Sequence, residues 1–363
     1  MKARSIALLL IGAIVAAACG PTASAPAATS AGTAVAAATQ AATATPRPPK
    51  DKVRMPTVVS YELNLPTLVA IAKDYFGEEN IELGDLVLGS GGTTRAAVIA
   101  KEYDFGLFAF VHIPIARLAG SPWKAILTTH DREIFSLVVR SGLKDKVKKV
   151  ADLKGMKIGM TSPGAGAWAF ANIFVRQAGL DPEKDVELVA VGGDAQVIYT
   201  ALKTGRVDAF ASWEPTTTRV VEDGTAFPLI PIYEAAQHRA AVGADKAAAM
   251  LLVTREDVIA AKPDLVKRMV NAHKKGLDFI RGNSAAAIAD AVLGNPTTSP
   301  QFKGLDRALV VKIVERLKGG FGTGCLSRSG FEAELKLSLD NELIKGPITF
   351  KDFGDATWAG ECP

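Results

Sequence analysis

Apolar and polar positions follow one order of elements twice along this chain. At 57–60 (TVVS) the pattern is that of a strand, followed by an apolar-periodic helix over 66–76 that stops at Gly77. A second strand over 81–88 ends in Gly89, Ser90, Gly91 and Gly92; then come a helix over 93–102, a strand over 104–110 and a helix opened by Pro114. The same order returns with a strand at 157–162 (KIGMTS), a helix at 166–177 stopped by Gly179, and a strand at 186–191 ending in Gly192 and Gly193. It closes with a helix at 195–204, a strand at 208–211 and a helix opened by Pro215. Ser60 aligns with Ser162, Gly77 with Gly179, Gly91 with Gly192 and Pro114 with Pro215, at offsets of 101 to 102 residues.

Strands that alternate with helices predict an α/β class with parallel pairing, because parallel neighbours need a crossover helix. Two such units predict two α/β lobes. Ligands of such sheets lie beyond the carboxyl ends of the strands. There both units carry glycines and small hydroxyls: Ser60 with Tyr61, Gly91 with Thr93, the run 161–167, and the run 192–194. Two rims of this kind, facing each other, make a cleft.

The segment before the repeat is of another kind. Lys2 and Arg4 precede an uncharged apolar run over 5–18, shorter than the roughly 20 residues of a membrane span, which is the pattern of a signal peptide. The run ends in Ala16, Ala17, Ala18, Cys19 and Gly20, small residues before a cysteine, as in the lipobox where a lipoprotein is cut and Cys19 acylated. From there to residue 54 the chain is mostly Ala, Thr, Ser and Pro, which reads as a tether with a reach of roughly 30 Å. The expectation is an exported protein held by lipid at the outer face of the membrane. The formal charge of +4 falls to +2 once Lys2 and Arg4 are removed (40 Lys and Arg against 38 Asp and Glu), and the excess is unclustered, which argues against nucleic acid. After Cys19 only Cys325 and Cys362 remain, so in an oxidising compartment a single disulfide is open to them.

The run ADLKGMKIGMTSPGAGAWAFANIFVRQAGLDPEKDVELVAVGG (151–193), with ALKTGRVDAFASWEPTTTRV (201–220), resembles the second lobe of ABC-transporter substrate-binding proteins. The group is that of nitrate, sulfonate and taurine uptake and of precursors of the thiamine pyrimidine. In the first unit LVAIAKDYFGEENIEL (68–83) is similar to the family's opening helix and second strand, whereas EYDFGLFAF (102–110) departs from its pattern. The resemblance implies a type II periplasmic binding fold. Two lobes of mainly parallel sheet, joined by two hinge crossovers, would close on a small-molecule solute, which a monomer would deliver to a permease and its ATPase. The continuous apolar runs at 134–140 (IFSLVVR) and 249–254 (AMLLVT) are placed as the crossovers. Lobe 1 then covers 55–137, lobe 2 covers 138–248, and 249–363 returns to complete lobe 1 with C-terminal helices.

Candidate ligand contacts follow from that cleft. Thr161, Ser162, Gly164, Ala165 and Gly166 precede a helix, whose free N–H groups and dipole favour an anionic or strongly accepting ligand group. Ser60, Gly91, Gly92 and Thr93 offer the same chemistry from lobe 1. Tyr61, Trp168 and Trp213, with Phe108 beside them, offer faces to an apolar body, and a packing role is equally open to each tryptophan. Glu214, Asp194 and Glu62 would pair a ligand cation, Arg132 and Arg95 a carboxylate or sulfonate, and His130 lies just before the first crossover. An oxyanion and an aromatic amine or pyrimidine both remain compatible with this set.

Catalysis finds little support: there is no Walker loop, no complete G-x-G-x-x-G and no G-x-S-x-G elbow, and the four histidines are too scattered for a metal motif. No cofactor is expected. A pyrimidine-precursor synthase on the same fold and a ligand-sensing receptor are the rival functions; the cysteine-rich motif of the former is absent here.

Overall fold

Ser60 sets where the first unit turns from strand to helix. Its hydroxyl accepts the Leu63 backbone N–H (3.3 Å) and so caps a helix that begins at Tyr61. The computed structural model describes residues 49–58 and 60–362. The expected signal peptide, the expected lipidation of Cys19 and the expected tether as far as residue 48 lie outside the described residues, whereas 51–54, expected to end the tether, belong to the first strand.

Lobe 1 opens with β1 (Asp51–Thr57), α1 (Tyr61–Ala72), α2 (Tyr75–Glu78) and β2 (Ile81–Leu88), followed by α3 (Gly91–Ile99), β3 (Phe105–Ala109), α4 (His112–Leu118) and β4 (Trp123–His130). β5 (Ser136–Arg140) crosses into lobe 2, which continues with β6 (Lys157–Met160), α5 (Gly166–Gln177), β7 (Glu187–Ala190), α6 (Ala195–Lys203), β8 (Ala209–Ser212), α7 (Thr216–Glu222), β9 (Ala226–Ile230) and α8 (Ala235–Val242). β10 (Met250–Arg255) returns to lobe 1. It is followed by α9 (Glu256–Ala261), α10 (Pro263–Gly282), α11 (Ala285–Gly294), α12 (Arg307–Leu317), α13 (Arg328–Asp340), α14 (Phe350–Phe353) and α15 (Ala356–Ala359).

The repeat is visible in strand order. Lobe 2 is a five-stranded sheet ordered β7-β6-β8-β5-β9. In lobe 1 β2 pairs with β1, β1 lies beside β3, and β3 continues as β3-β10-β4. Each sheet therefore has the same plan, with the incoming crossover strand in the fourth position. The α/β two-lobed class holds, with one correction to strand direction: the sheets are mixed rather than mainly parallel. β6 is parallel to β7 and β8, but β5 runs antiparallel to β8 and β9, and β10 antiparallel to β3 and β4. A strand arriving from the other lobe enters from the opposite end, which reverses it.

A second correction concerns the first strand. It spans Asp51–Thr57 and not TVVS, because its register runs from Asp51 opposite Ile81 to Thr57 opposite Leu88, after which Ser60 starts α1. Pro66, expected to open that helix, lies inside it.

The core is continuous through both lobes, and each fully buried Leu, Ile, Val or Phe in it contributes about 1.5–3 kcal/mol. α1 packs against α10, where Gly276 lets the helices close: a Cβ there would stand 2.3 Å from the Pro66 carbonyl oxygen. At the C-terminus Cys325 and Cys362 are joined by a disulfide. The Leu326 N–H donates to the Gly360 carbonyl and the Cys362 N–H to the Leu326 carbonyl, both at 2.9 Å, so the tail is sewn down as a short paired strand. Among the described residues no helix is long and apolar enough to cross a membrane.

Candidate functional site

The two lobes meet over a cavity of about 440 Å³, counting its mouth. It lies at the carboxyl ends of β3, β6 and β8, where Ala109, Thr161 and Trp213 face it. Helix starts surround it. Ser60 and Leu63 come from the first turn of α1, Gly91 from that of α3, and Ala165, Gly166 and Ala167 from that of α5. α1 and α3 are capped by the hydroxyls of Ser60 and Ser90, but no side chain caps α5, because its N-cap position is Ala165. The first N–H groups of α5 are thus left for a ligand or solvent acceptor, with the positive end of the helix dipole behind them.

The walls are apolar. Leu107 and Phe108 of β3, Ile134 and Phe135 ahead of β5, Trp213 after β8 and Met250 of β10 line the space. Phe135 stacks on Phe170 (5.3 Å between centroids) and meets Trp213 edge-on (6.0 Å). Gly166 is what lets this ring approach α5, since a Cβ there would stand 2.4 Å from Phe135 Cζ. Among the described residues no Asp, Glu, Lys or Arg lines the cavity. Its polar side chains are Ser60, Thr161 and His112.

His112 is buried, and one side of its ring is fixed. Arg95 Nη1 lies 3.0 Å from His112 Nδ1 and donates to the Gly164 carbonyl in the other lobe at 2.6 Å. Burial first, and the Arg95 charge second, hold the imidazole pKa down to about 3, so the ring is neutral at ordinary pH.

Behind Ile134, which lines both spaces, lies a second cavity of about 340 Å³ with Glu62, His130, Arg132, Glu133, Glu214 and Arg316 on its walls. Here too the lobes touch: the Glu214 N–H donates to Glu62 Oε1 (2.8 Å), and the Tyr61 N–H to the Glu214 carbonyl (3.2 Å). Burial, reinforced by Glu214, pushes the Glu62 carboxyl up to about 8, and burial raises Glu214 as well. A further buried carboxyl pair, Glu133 with Glu334, is raised by the same desolvation.

Of the residues expected at the cleft, Ser60, Gly91, Phe108, Thr161, Ala165, Gly166 and Trp213 line the main cavity. Four others, Gly92, Thr93, Ser162 and Gly164, are not among its lining residues. Gly92 faces Ser162, whose Oγ would lie 3.1 Å from a Cβ at that position, and Gly164 turns its carbonyl to Arg95. Thr93 is consumed in the capping box of α3 with Ser90.

Five expectations are corrected. Tyr61 turns away, its hydroxyl donating to the Gln301 carbonyl (3.1 Å) and its ring packing on Phe302. Trp168 follows Gly166 and Ala167 by the 100° step of a helix, which carries it out of the cavity and against the core. Asp194 caps α6 by accepting the Val197 N–H (2.9 Å). His130 lies in the second cavity with both ring nitrogens near carbonyls, of Arg132 (2.8 Å) and Leu317 (3.1 Å). Glu214 is also in that second cavity, where it accepts from the Thr218 N–H and hydroxyl. His112, Phe135 and Met250 were not anticipated. Only Phe135 and Met250 had a signal, as parts of the crossover runs.

The family model described as NMT1/THI5 like matches residues 64–287. A protein of Brucella abortus (strain 2308), named for a binding role, is 23% identical over 238 residues, or 65% of this chain and 69% of its own. A solved structure from Bordetella bronchiseptica RB50 superposes with a TM-score of 0.72 at 23% identity, covering 86% of this chain and 95% of its own. The alkanesulfonate-binding protein SsuA of Xanthomonas axonopodis pv. citri, solved with MOPS, gives a TM-score of 0.64 at 16% identity over 84% of this chain and 98% of its own. The fold is that of the periplasmic binding proteins.

Proposed function

The chain belongs to the NMT1/THI5-like family, and from that premise we propose that it is the solute-binding component of an ABC importer, exported and tethered by lipid on Cys19. It captures one small solute between its lobes and hands it to a permease and its ATPase. The observation that carries this reading is the uncapped start of α5, which faces the start of α3 across an apolar, aromatic cavity. Such a site favours a ligand with an accepting or anionic head and an apolar body, a sulfonate or carboxylate for instance. The alkanesulfonate-binding neighbour lends support to that class. Ser60, Gly91, Phe108, Thr161, Ala165, Gly166 and Trp213 are the proposed contacts, with His112 and Phe135 added. Capture rather than bond-making suits a lining whose ionisable side chain, His112, is held neutral.

Isothermal titration with benzenesulfonate and with the neutral benzamide tests the ligand class. A 1:1 isotherm with benzenesulfonate, tighter by about ten-fold than with benzamide, is expected from one charge-assisted set of helix N–H bonds. Gly166→Val, which drives Phe135 into the space, is expected to abolish it. Equal binding of both probes, or an unaffected Gly166→Val, would move the site or the ligand class elsewhere. Intact mass of the membrane fraction, showing a chain that begins at an acylated Cys19, tests the anchor.

A further inference from the structure

We propose that Arg95 couples the ligand-facing tautomer of His112 to closure of the lobes, and that this coupling makes the cavity admit hydrogen-bond-accepting heads and refuse donating ones. The ligand half of the proposal rests on the capture reading above; the closure half does not.

One nitrogen of Arg95, Nη1, serves two partners. It lies 3.0 Å from His112 Nδ1 within lobe 1 and 2.6 Å from the Gly164 carbonyl of lobe 2. A guanidinium has donors only, so His112 Nδ1 must accept, and the single proton of the neutral ring is placed on Nε2. That edge of the ring faces Gly91 and the cavity: a Cβ on Gly91 would stand 2.9 Å from Nε2. The ring is 3% exposed and lies against Phe108, so it has little room to turn.

Arg95 has no other employment that explains it. It is part-buried, its pKa is lowered by desolvation, and among the described residues no carboxylate stands within ion-pair distance. A half-buried charge left without a counter-ion is costly, and two neutral acceptors offset only part of that cost. A negative ligand head in the cavity would supply the rest. Gly164 is suited to the other end. Its φ of +72° holds the loop in the left-handed region that presents the carbonyl, and a Cβ there would lie 3.2 Å from Arg95 Nη2.

The selectivity follows from proton positions. A head that accepts from Nε2–H leaves Nδ1 free to accept from Arg95, so the bond to Gly164 and the contact between lobes persist. A head that donates needs Nε2 bare, which moves the proton to Nδ1 and sets it against the guanidinium. Arg95 must then withdraw, and the tie to Gly164 goes with it.

The test uses the full-length protein with Arg95→Met, His112→Phe and the double variant. Imidazole nitrogen NMR reports the His112 tautomer without ligand, and spin labels at Glu102→Cys and Arg206→Cys report the distance between lobes. In the parent protein the Nε2–H tautomer is expected. Arg95→Met should mix the tautomers and broaden the distances towards an open form. With benzenesulfonate each single variant should bind about ten-fold more weakly, and the double variant no worse than the weaker single. Benzylammonium should neither bind the parent protein nor narrow its distances. Should Arg95→Met not fold, Arg95→Ala, which likewise removes the donor and the charge, carries the same readouts. Unchanged tautomer and distances in the Arg95 variant, additive losses, or closure on benzylammonium would overturn the proposal. Failure of the parent protein to bind benzenesulfonate, with tautomer and distances responding as stated, would overturn the sulfonate class and leave the closure half standing.

Discussion

Glu62, 1% exposed, keeps its proton to about pH 8, whereas an ordinary glutamate loses it near 4.5. A carboxyl raised on folding adds stability in full below its unfolded pKa and loses it as pH climbs through the folded one. Glu133 and Glu334 act in the same direction. The buried histidines act oppositely: His112 at about 3 and His238 and His273 at about 4 stabilise above pH 6.5 and lose that contribution as pH falls towards those values. Thermal stability should therefore peak between about pH 5 and 6.5 and decline towards pH 8.5. Glu62→Gln should flatten the alkaline limb by up to one proton, a slope of about 1.4 kcal/mol per pH unit. Melting curves from pH 5 to 9 check this, and an unchanged alkaline slope would rule Glu62 out as its source. At this scale the sequence was partly legible. Glycines and hydroxyls that start helices fell at the cavity because capping positions are local. The Arg95–His112 pair was hidden, since it joins two helices that only the tertiary fold brings together.

Elements were easier to read where their ends are chemical. Gly179 stops α5 and Ser60 starts α1, and strand β2 and helix α5 occur at the residues expected of them. β4 and β9 are not legible in the sequence pattern, for two different reasons. β4 is buried on both faces and so lacks alternation, and β9, at the sheet edge, carries Pro228, which a ladder tolerates only there. Element packing also gives a sharp test. Gly276→Ala places a methyl against the Pro66 carbonyl and must push α10 from α1, at a cost of about 1–3 kcal/mol. Urea unfolding should show it as a lower midpoint at constant m; a midpoint equal to the parent's would mean that the two helices slide apart freely.

Across the whole molecule the disulfide closes the chain between Cys325 and Cys362, 37 residues apart, and keeps the last helices on lobe 1. Replacing both cysteines by serine should lower stability by about 4 kcal/mol in the chain-entropy model, read as a drop in melting temperature that reductant reproduces in the parent protein. No effect of reductant would show that the paired tail holds by hydrogen bonds alone. The two-lobed plan was legible as a repeat, but the reversed direction of the crossover strands was not, because reversal is a property of where a strand arrives from.

That fourth-position strand also sets a timetable. Lobe 2 draws every strand of its sheet from consecutive residues, β5 to β9, whereas β3 and β4 of lobe 1 are bridged only by β10. For a chain emerging from its N-terminus, lobe 1 begins first and finishes last, its half-sheet waiting open while the whole of lobe 2 is made. Distant partners slow folding and prolong the exposure of unpaired strand edges. The molecule therefore matures from its middle outward, and β3, apolar along its whole length, is the segment most in need of a guardian until β10 arrives.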